Sequence, residues 1–248
     1  MDRRFPTMQG VNDDRLYFRQ LLSGRDFAAN DQLAQQMLNY AYLIGDKVTR
    51  ECVIVDPAYS VAELLYTAWQ DGMKVVGALA THYHPDHIGG PMGHSTIEGV
   101  KELLELQGMK IHVNEAEARG VMSLSGASVS DLSLHEGGDV LVVGEVEIQL
   151  VHTPGHTPGS QCFLVDGLLV AGDTLFLEGC GRTDLPGSDP GQMYDSLAVL
   201  ASLPDDTIVF PGHRYHPLCG RGTLAAIKDV NYVFKPKSKE AWLTMFGQ

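Results

Sequence analysis

Histidine and carboxylate residues crowd into a few short stretches of this 248-residue chain. Five of its ten histidines fall in three compact segments at the ends of expected strands. The first segment is Thr81-His82-Tyr83-His84-Pro85-Asp86-His87, closed by Gly89-Gly90. His82 and His84 are two residues apart, so in an extended backbone both rings point to one side. Asp86 and His87 follow as the chain turns. Four candidate ligands within six residues, none of them cysteine, make a nitrogen-and-oxygen donor set. Such a set suits zinc, iron or manganese, not copper(I) or an iron–sulfur cluster. The second segment places His156 in Thr153-Pro154-Gly155-His156-Thr157-Pro158-Gly159, where two Pro-Gly pairs tighten the loop. Asp173, in Ala171-Gly172-Asp173, is a carboxylate at a strand end, and His213, in Pro211-Gly212-His213, again follows a strand. Any one of these histidines taken alone is more often an ordinary core or surface residue. The ordered combination is what points to metal.

A metal bound there would lower the pKa of its water from about 15.7 toward about 7 and polarise a carbonyl or phosphoryl oxygen. Hydrolysis of a thioester, lactone, amide or phosphodiester is then accessible without a serine or cysteine nucleophile. Asp86 could accept the proton that such a water gives up.

The elements that must carry these residues follow from hydrophobic periodicity. Leu16–Leu22 reads as an edge strand and residues 26–37 as an inserted loop or helix. Residues 41–45 and 52–55 form a hairpin about a charged turn, which Asp56-Pro57 ends. Val61–Gln70 has apolar residues at 61, 64, 65 and 68, the spacing of an amphipathic helix, and 75–80 is a buried strand leading into the first histidine segment. A helix is expected over 96–106, a strand at 111–113, a helix over 115–122 and a loop over 123–133. Residues 139–152 are two strands around Gly144-Glu145, and 161–165 pairs with 168–171 about Asp166-Gly167. A helix over 191–203, a strand over 207–210 and helices at Leu224–Val230 and Lys239–Phe246 complete the chain. Helices interspersed with hairpins imply an α/β layered sandwich with sheets inside.

Composition narrows the partners. Eighteen Lys and Arg against 31 Asp and Glu give 18 − 31 = −13, with 44% hydrophobic and 20% charged residues. The composition is globular, and the acidity disfavours nucleic acid and anionic membrane surfaces. The basic stretch from Lys235 reads as a solvated helix start. No apolar run approaches a membrane span, and Arg3 and Arg4 are not followed by the apolar stretch of a signal. Cys52, Cys162, Cys180 and Cys219 show no CxxC spacing and read as reduced thiols. The expectation is a single domain over 1–248 in a cytoplasmic protein, with insertions at 23–38 and 88–116. The first insertion could supply a homo-oligomer interface.

The ordered set HxHxDH, loop histidine, strand-end aspartate and final loop histidine resembles the metallo-β-lactamase fold superfamily over residues 42–215. The resemblance implies an αββα sandwich with its metal site at one edge of the two sheets. It implies that His82, His84 and His156 hold one metal, that Asp86, His87 and His213 hold a second, and that Asp173 bridges them as a catalytic carboxylate beside Asp86. The segment Leu177-Glu178-Gly179-Cys180-Gly181-Arg182-Thr183-Asp184 is similar to one found in glyoxalase II-like thioesterases and in persulfide dioxygenases, whose substrates are glutathione conjugates. By that likeness Arg182 would meet a substrate carboxylate and Tyr215 would lie near the glutathione, although Arg182 could equally pair with Asp184 or Asp189. Cys180 reads as a small buried residue. Phe176 stands where some lactonases of the superfamily place a catalytic tyrosine, which disfavours lactones. The resemblance implies either a hydrolase with two Zn(II) or a dioxygenase with one Fe(II) on His82, His156 and Asp173.

Overall fold

A computed structural model of the chain describes residues 15–217 and 219–246. In chain order, β1 (Leu16–Leu22), α1 (Gln32–Met37), β2 (Tyr40–Asp46), β3 (Glu51–Val55), α2 (Val61–Gln70) and β4 (Lys74–Leu79) come first. They are followed by α3 (Pro85–Ile88), β5 (Gly90–Met92), β6 (Ser95–Ile97), α4 (Val100–Leu106), β7 (Lys110–Asn114), α5 (Ala118–Ser125) and β8 (Leu132–His135). The second half holds β9 (Val140–Val143), β10 (Val146–His152), β11 (Gln161–Val165), β12 (Leu168–Gly172), α6 (Pro190–Ala201), β13 (Ile208–Pro211), β14 (Gly222–Thr223), α7 (Leu224–Val230) and α8 (Lys239–Phe246).

Two six-stranded sheets form, in the orders β1-β2-β3-β4-β7-β8 and β14-β13-β12-β11-β10-β9. The period-2 alternation of each strand decides what lies on either face. From β2 and β3, Leu43, Cys52 and Ile54 pack under the helices, while Tyr42, Ile44, Val53 and Val55 meet the other sheet. On β12, Leu168 and Val170 face the first sheet, and Leu169 and Ala171 face α6 and α7. Every one of these strand residues is buried. The result is the expected αββα sandwich. Trp242 of α8 is fully buried against Phe246, with centroids 4.4 Å apart, and its indole N–H donates to the Val233 carbonyl at 3.2 Å. Burying it contributes on the order of 3 kcal/mol. Nearby, Lys239 pairs with Asp195 at 2.5 Å and Lys235 donates to the backbone carbonyls of Lys228 and Asp229. The basic stretch is thus tied back onto the fold.

Two expectations are corrected. The helix expected over 96–106 starts only at Val100, because Ser95–Ile97 turns back onto Gly90–Met92 as an antiparallel pair. The loop expected over 123–133 is shorter: α5 runs to Ser125 and Leu132–His135 pairs in parallel with β7. A four-residue strand with a single fully apolar face has too few alternations to show in sequence.

That pairing stacks two histidines. His112 Nδ1 lies 2.9 Å from His135 Nε2, and His135 Nδ1 lies 3.3 Å from Asp139. Burial first, then His135 and Lys110, push His112 down to about 4. Its folded value is below its unfolded one, so the folded chain refuses a proton that the unfolded chain takes below about pH 6.5. The associated stability is complete above that pH and drains away as pH falls toward 4. Between pH 7 and 5 the wild type should lose about 1–2 kcal/mol more than His112→Asn. Urea unfolding at both pH values tests this, and parallel losses would remove the assignment.

Candidate metal centre

The strands β4, β10, β12 and β13 all end at one edge of the sandwich, and the loops leaving them carry the candidate ligands. His82 and His84 follow β4, Asp86 and His87 lie in α3, His156 follows β10, Asp173 follows β12 and His213 follows β13. All seven side chains come together. His82, His84 and His156 form one group, and Asp86, His87 and His213 a second; His82, His87 and Asp173 link the two, and within each group one donor atom per residue lies within 4.8 Å of the others. Asp173 spans both sides, with Oδ1 3.4 Å from His87 Nε2 and Oδ2 3.7 Å and 3.4 Å from the Nε2 atoms of His156 and His213.

The far side of each ring fixes which nitrogen faces inward. His156 Nδ1 lies 2.8 Å from the Arg182 carbonyl, and His213 Nδ1 lies 2.9 Å from that of Met37. A carbonyl only accepts, so each Nδ1 carries a proton and Nε2 is the nitrogen left for a metal. His87 Nδ1 donates to Asp56 Oδ2 at 2.8 Å. His82 Nδ1 donates to the Thr81 hydroxyl at 3.0 Å, which in turn donates to the same Asp56 oxygen at 2.7 Å. The Nε2 atoms of these four rings therefore face the centre. His82 Nε2 and His156 Nε2 both lie 3.0 Å from His84 Nδ1, and His87 Nε2 lies 3.3 Å from His213 Nε2. Asp173 Oδ1 is a buried oxygen with no hydrogen-bond partner. A Cβ on Gly212 would come within 2.2 Å of that oxygen, and one on Gly181 within 2.0 Å of the Asp173 carbonyl, so both positions need glycine for Asp173 to sit where it does. The donor set fits divalent metal.

The electrostatics of the two sides differ. Burial, then the neighbouring imidazoles, push His82 well down and His84 to about 4. For His87 burial also lowers the value, but Asp86, Asp173 and Asp56 outweigh it and lift it to about 9. Burial raises the Asp86 and Asp173 carboxyls, yet the imidazoles of His87 and His213 hold both well below the usual carboxylate range.

A cavity of about 820 Å³ opens over the centre, walled by Tyr83, Phe176, Cys180, Arg182, Tyr215 and Tyr232 among others. Arg182 supplies its carbonyl to His156, while its exposed guanidinium makes a two-pronged pair with Asp184 at 2.9 and 2.8 Å. The Tyr215 ring stacks on His213, centroids 4.9 Å apart and 3° from parallel, and meets Phe176 edge-on. Burial pushes the Cys180 thiol up to about 12, so it stays protonated at neutral pH. Sequence reasoning missed Asn39, Tyr59, Thr81 and Glu117, and took Asp56 only as a strand stop. Asp56 meets His87 from 31 residues away, a pairing no local spacing reveals.

Clustered imidazoles and carboxylates at the edge of an αββα sandwich are the mark of a metal-dependent enzyme class, and the chain belongs to the metallo-β-lactamase superfamily, whose profile matches residues 36–213. Within it, a hydroxyacylglutathione hydrolase of Rhodospirillum rubrum is 35% identical over 187 residues, which are 74% of this chain and 65% of that protein. This chain thus matches less than two thirds of that relative's length. The crystal structure of ETHE1 from Myxococcus xanthus aligns with a TM-score of 0.75 at 30% identity, covering 94% of this chain and 90% of that one. TTHA1623, solved in a di-iron-bound form, aligns with a TM-score of 0.66 at 28% identity over 79% of this chain and 95% of that one. These likenesses fit the glyoxalase II-like and persulfide dioxygenase-like branch. Among the described residues no helix is long and apolar enough to cross a membrane.

Proposed function

We propose that the chain is a metal-dependent hydrolase of a thioester, or a related small carbonyl compound, carried on glutathione. The observation that carries this reading is the completeness of both ligand groups, three side chains each, with Asp173 reaching across. Divalent metal bound there, two Zn(II) in this reading, supplies an activated water and an electrophile for the carbonyl oxygen. His82, His84 and His156 would hold one ion and Asp86, His87 and His213 the other, with the His82, His87, His156 and His213 rings aimed by their protonated far nitrogens. In this reading Asp86, whose Oδ2 accepts from Asn39 Nδ2 at 3.0 Å, would take the proton released at attack. Asp173 keeps the two halves in register. The aromatic wall of Tyr83, Phe176 and Tyr215 restricts water around the acyl group. The exposed Arg182 fork at the rim suits a substrate carboxylate, which would replace Asp184 as its partner.

A second reading has its own support in the likeness to ETHE1 over 94% of the chain. It is a dioxygenase using one Fe(II) on His82, His156 and Asp173, acting on glutathione persulfide. Paired assays separate the two. Zinc-loaded protein is expected to cleave S-acylglutathione, with free thiol released and no dioxygen consumed. Rapid dioxygen uptake by iron-reconstituted protein given glutathione persulfide, with no thioester cleavage by the zinc form, would replace the first reading by the second.

A further inference from the structure

Phe176 and the strip from Glu178 to Arg182 form part of the cavity wall, and one side chain fastens them to the C-terminal segment. Asn231 is fully buried just after α7. Its Oδ1 accepts from the Gly179 amide at 2.8 Å and the Val233 amide at 3.1 Å. Its Nδ2 donates to the Phe176 carbonyl at 3.1 Å and the Gly179 carbonyl at 3.0 Å. Two donations and two acceptances use all that an asparagine side chain offers, and turning the amide over would oppose oxygen to carbonyls and NH2 to amides.

The next residue, Tyr232, joins the cavity wall itself. Its ring stacks on Phe246 of α8, centroids 5.8 Å apart and 20° from parallel. Its hydroxyl lies over Gly179, where a Cβ would come within 2.8 Å of the hydroxyl oxygen and the φ of 101° favours glycine. The Thr183 hydroxyl donates to the Phe246 carbonyl at 3.2 Å, so the C-terminal segment grips this loop at a second point. Tyr232 is 51% exposed, and its hydroxyl makes no hydrogen bond among the described residues. Stacking on Phe246 asks only for a ring, which leaves the hydroxyl to a molecule that enters the cavity.

We infer that Tyr232 is a substrate-binding residue whose hydroxyl donates to a peptide oxygen of the glutathione half. Asn231 is the positioning residue that holds the phenol against the Phe176–Gly179 turn. Arg182 stands on the same stretch of wall, so the peptide is held at two places, a carboxylate by the guanidinium and a second oxygen by the phenol. This inference rests on the glutathione reading above, and it applies to thioester and persulfide alike because both carry that half.

Calorimetric titration of zinc-loaded protein with S-methylglutathione, a thioether that the hydrolase reaction does not cleave, reads binding without turnover. Tyr232→Phe keeps the stacked ring and removes only the donor, so the dissociation constant should rise about threefold to tenfold. Turnover number should stay within about twofold while KM rises, whichever reaction the paired assays establish. Asn231→Ala should weaken binding at least as much, and adding Tyr232→Phe to it should cost less than about a further twofold, because the phenol is no longer held. Should Asn231→Ala not fold by circular dichroism, Asn231→Asp takes its place, since it keeps the acceptor of the two amides and loses both donations. A Tyr232→Phe protein that binds as tightly as wild type overturns the inference, and additive losses in the double variant overturn the role of Asn231. A wild type that does not bind S-methylglutathione removes the glutathione reading itself.

Discussion

Replacing Asp173 by Asn is expected to cut turnover by more than about a hundredfold, the upper end of what even outer-shell partners of a metal cost, while the fold survives. Asp173 is 9% exposed, touches both ligand groups and leaves Oδ1 without a hydrogen bond. An amide keeps the shape but loses the charge that joins the two halves, and its NH2 would turn a donor toward inward lone pairs. The thermal signature follows from mass action. Metal at about a hundred times its dissociation constant stabilises the folded chain by about 2.7 kcal/mol. For a chain of this length that is a rise in Tm of about 5–10 °C. Wild type should show that rise on adding metal to chelated protein, and Asp173→Asn should lose most of it at an unchanged circular dichroism spectrum. A variant that keeps both the metal-dependent rise and full turnover would show that Asp173 does not hold metal.

Glu117→Ala should destabilise the chain by about 3–5 kcal/mol, the largest effect on stability we expect outside the ligands themselves. Glu117 is fully buried. It accepts from the Tyr83 amide at 2.7 Å, the Thr157 hydroxyl at 2.8 Å and the Gly159 amide at 2.6 Å. Tyr83 sits between His82 and His84, and Thr157 follows His156, so one carboxylate ties together the two loops that carry the first ligand group. Burial lifts its carboxyl above the ordinary glutamate value in spite of these three donors. Alanine would strand two buried amides and a hydroxyl, each costing about 1–3 kcal/mol, although Ser160 remains within reach of Thr157. Glu117→Gln keeps an acceptor but points a second donor at one of the amides, and should cost about half as much. Denaturant unfolding of both variants measures this. Losses below about 1 kcal/mol in both would mean that water replaces the carboxylate, and the clamp would be wrong.

The sandwich was legible because its strands alternate cleanly. Leu168 to Ala171 must bury two opposite faces, which only a strand between two layers can do. Val61–Gln70 was readable from its apolar spacing, and the structure reproduces it to the residue. The short pairs Gly90–Met92 with Ser95–Ile97, and Leu132–His135 on β7, were not readable. Their strands are three or four residues long and are stabilised by neighbours already in place.

At the centre the division is by distance along the chain. The candidate ligands were legible in the sequence alone: His82, His84, Asp86 and His87 are neighbours, and His156, Asp173 and His213 each follow a strand, so residue type and order announced the cluster that the fold brings together. Tertiary structure alone decided how each ligand is held. Asp56 reaches His87 across 31 residues, Glu117 reaches Thr157 across 40, and Asn39 stands 47 residues from Asp86. Hydrogen bonds of this kind leave no periodicity, because their partners meet only when two sheets stack and their strand ends converge. The same convergence brings the Arg182 carbonyl to His156, while its guanidinium makes the local pair with Asp184 that the sequence already offered. Candidate chemistry was written in the order of a few side chains; their orientation and electrostatic setting come from contacts that exist only in the folded chain.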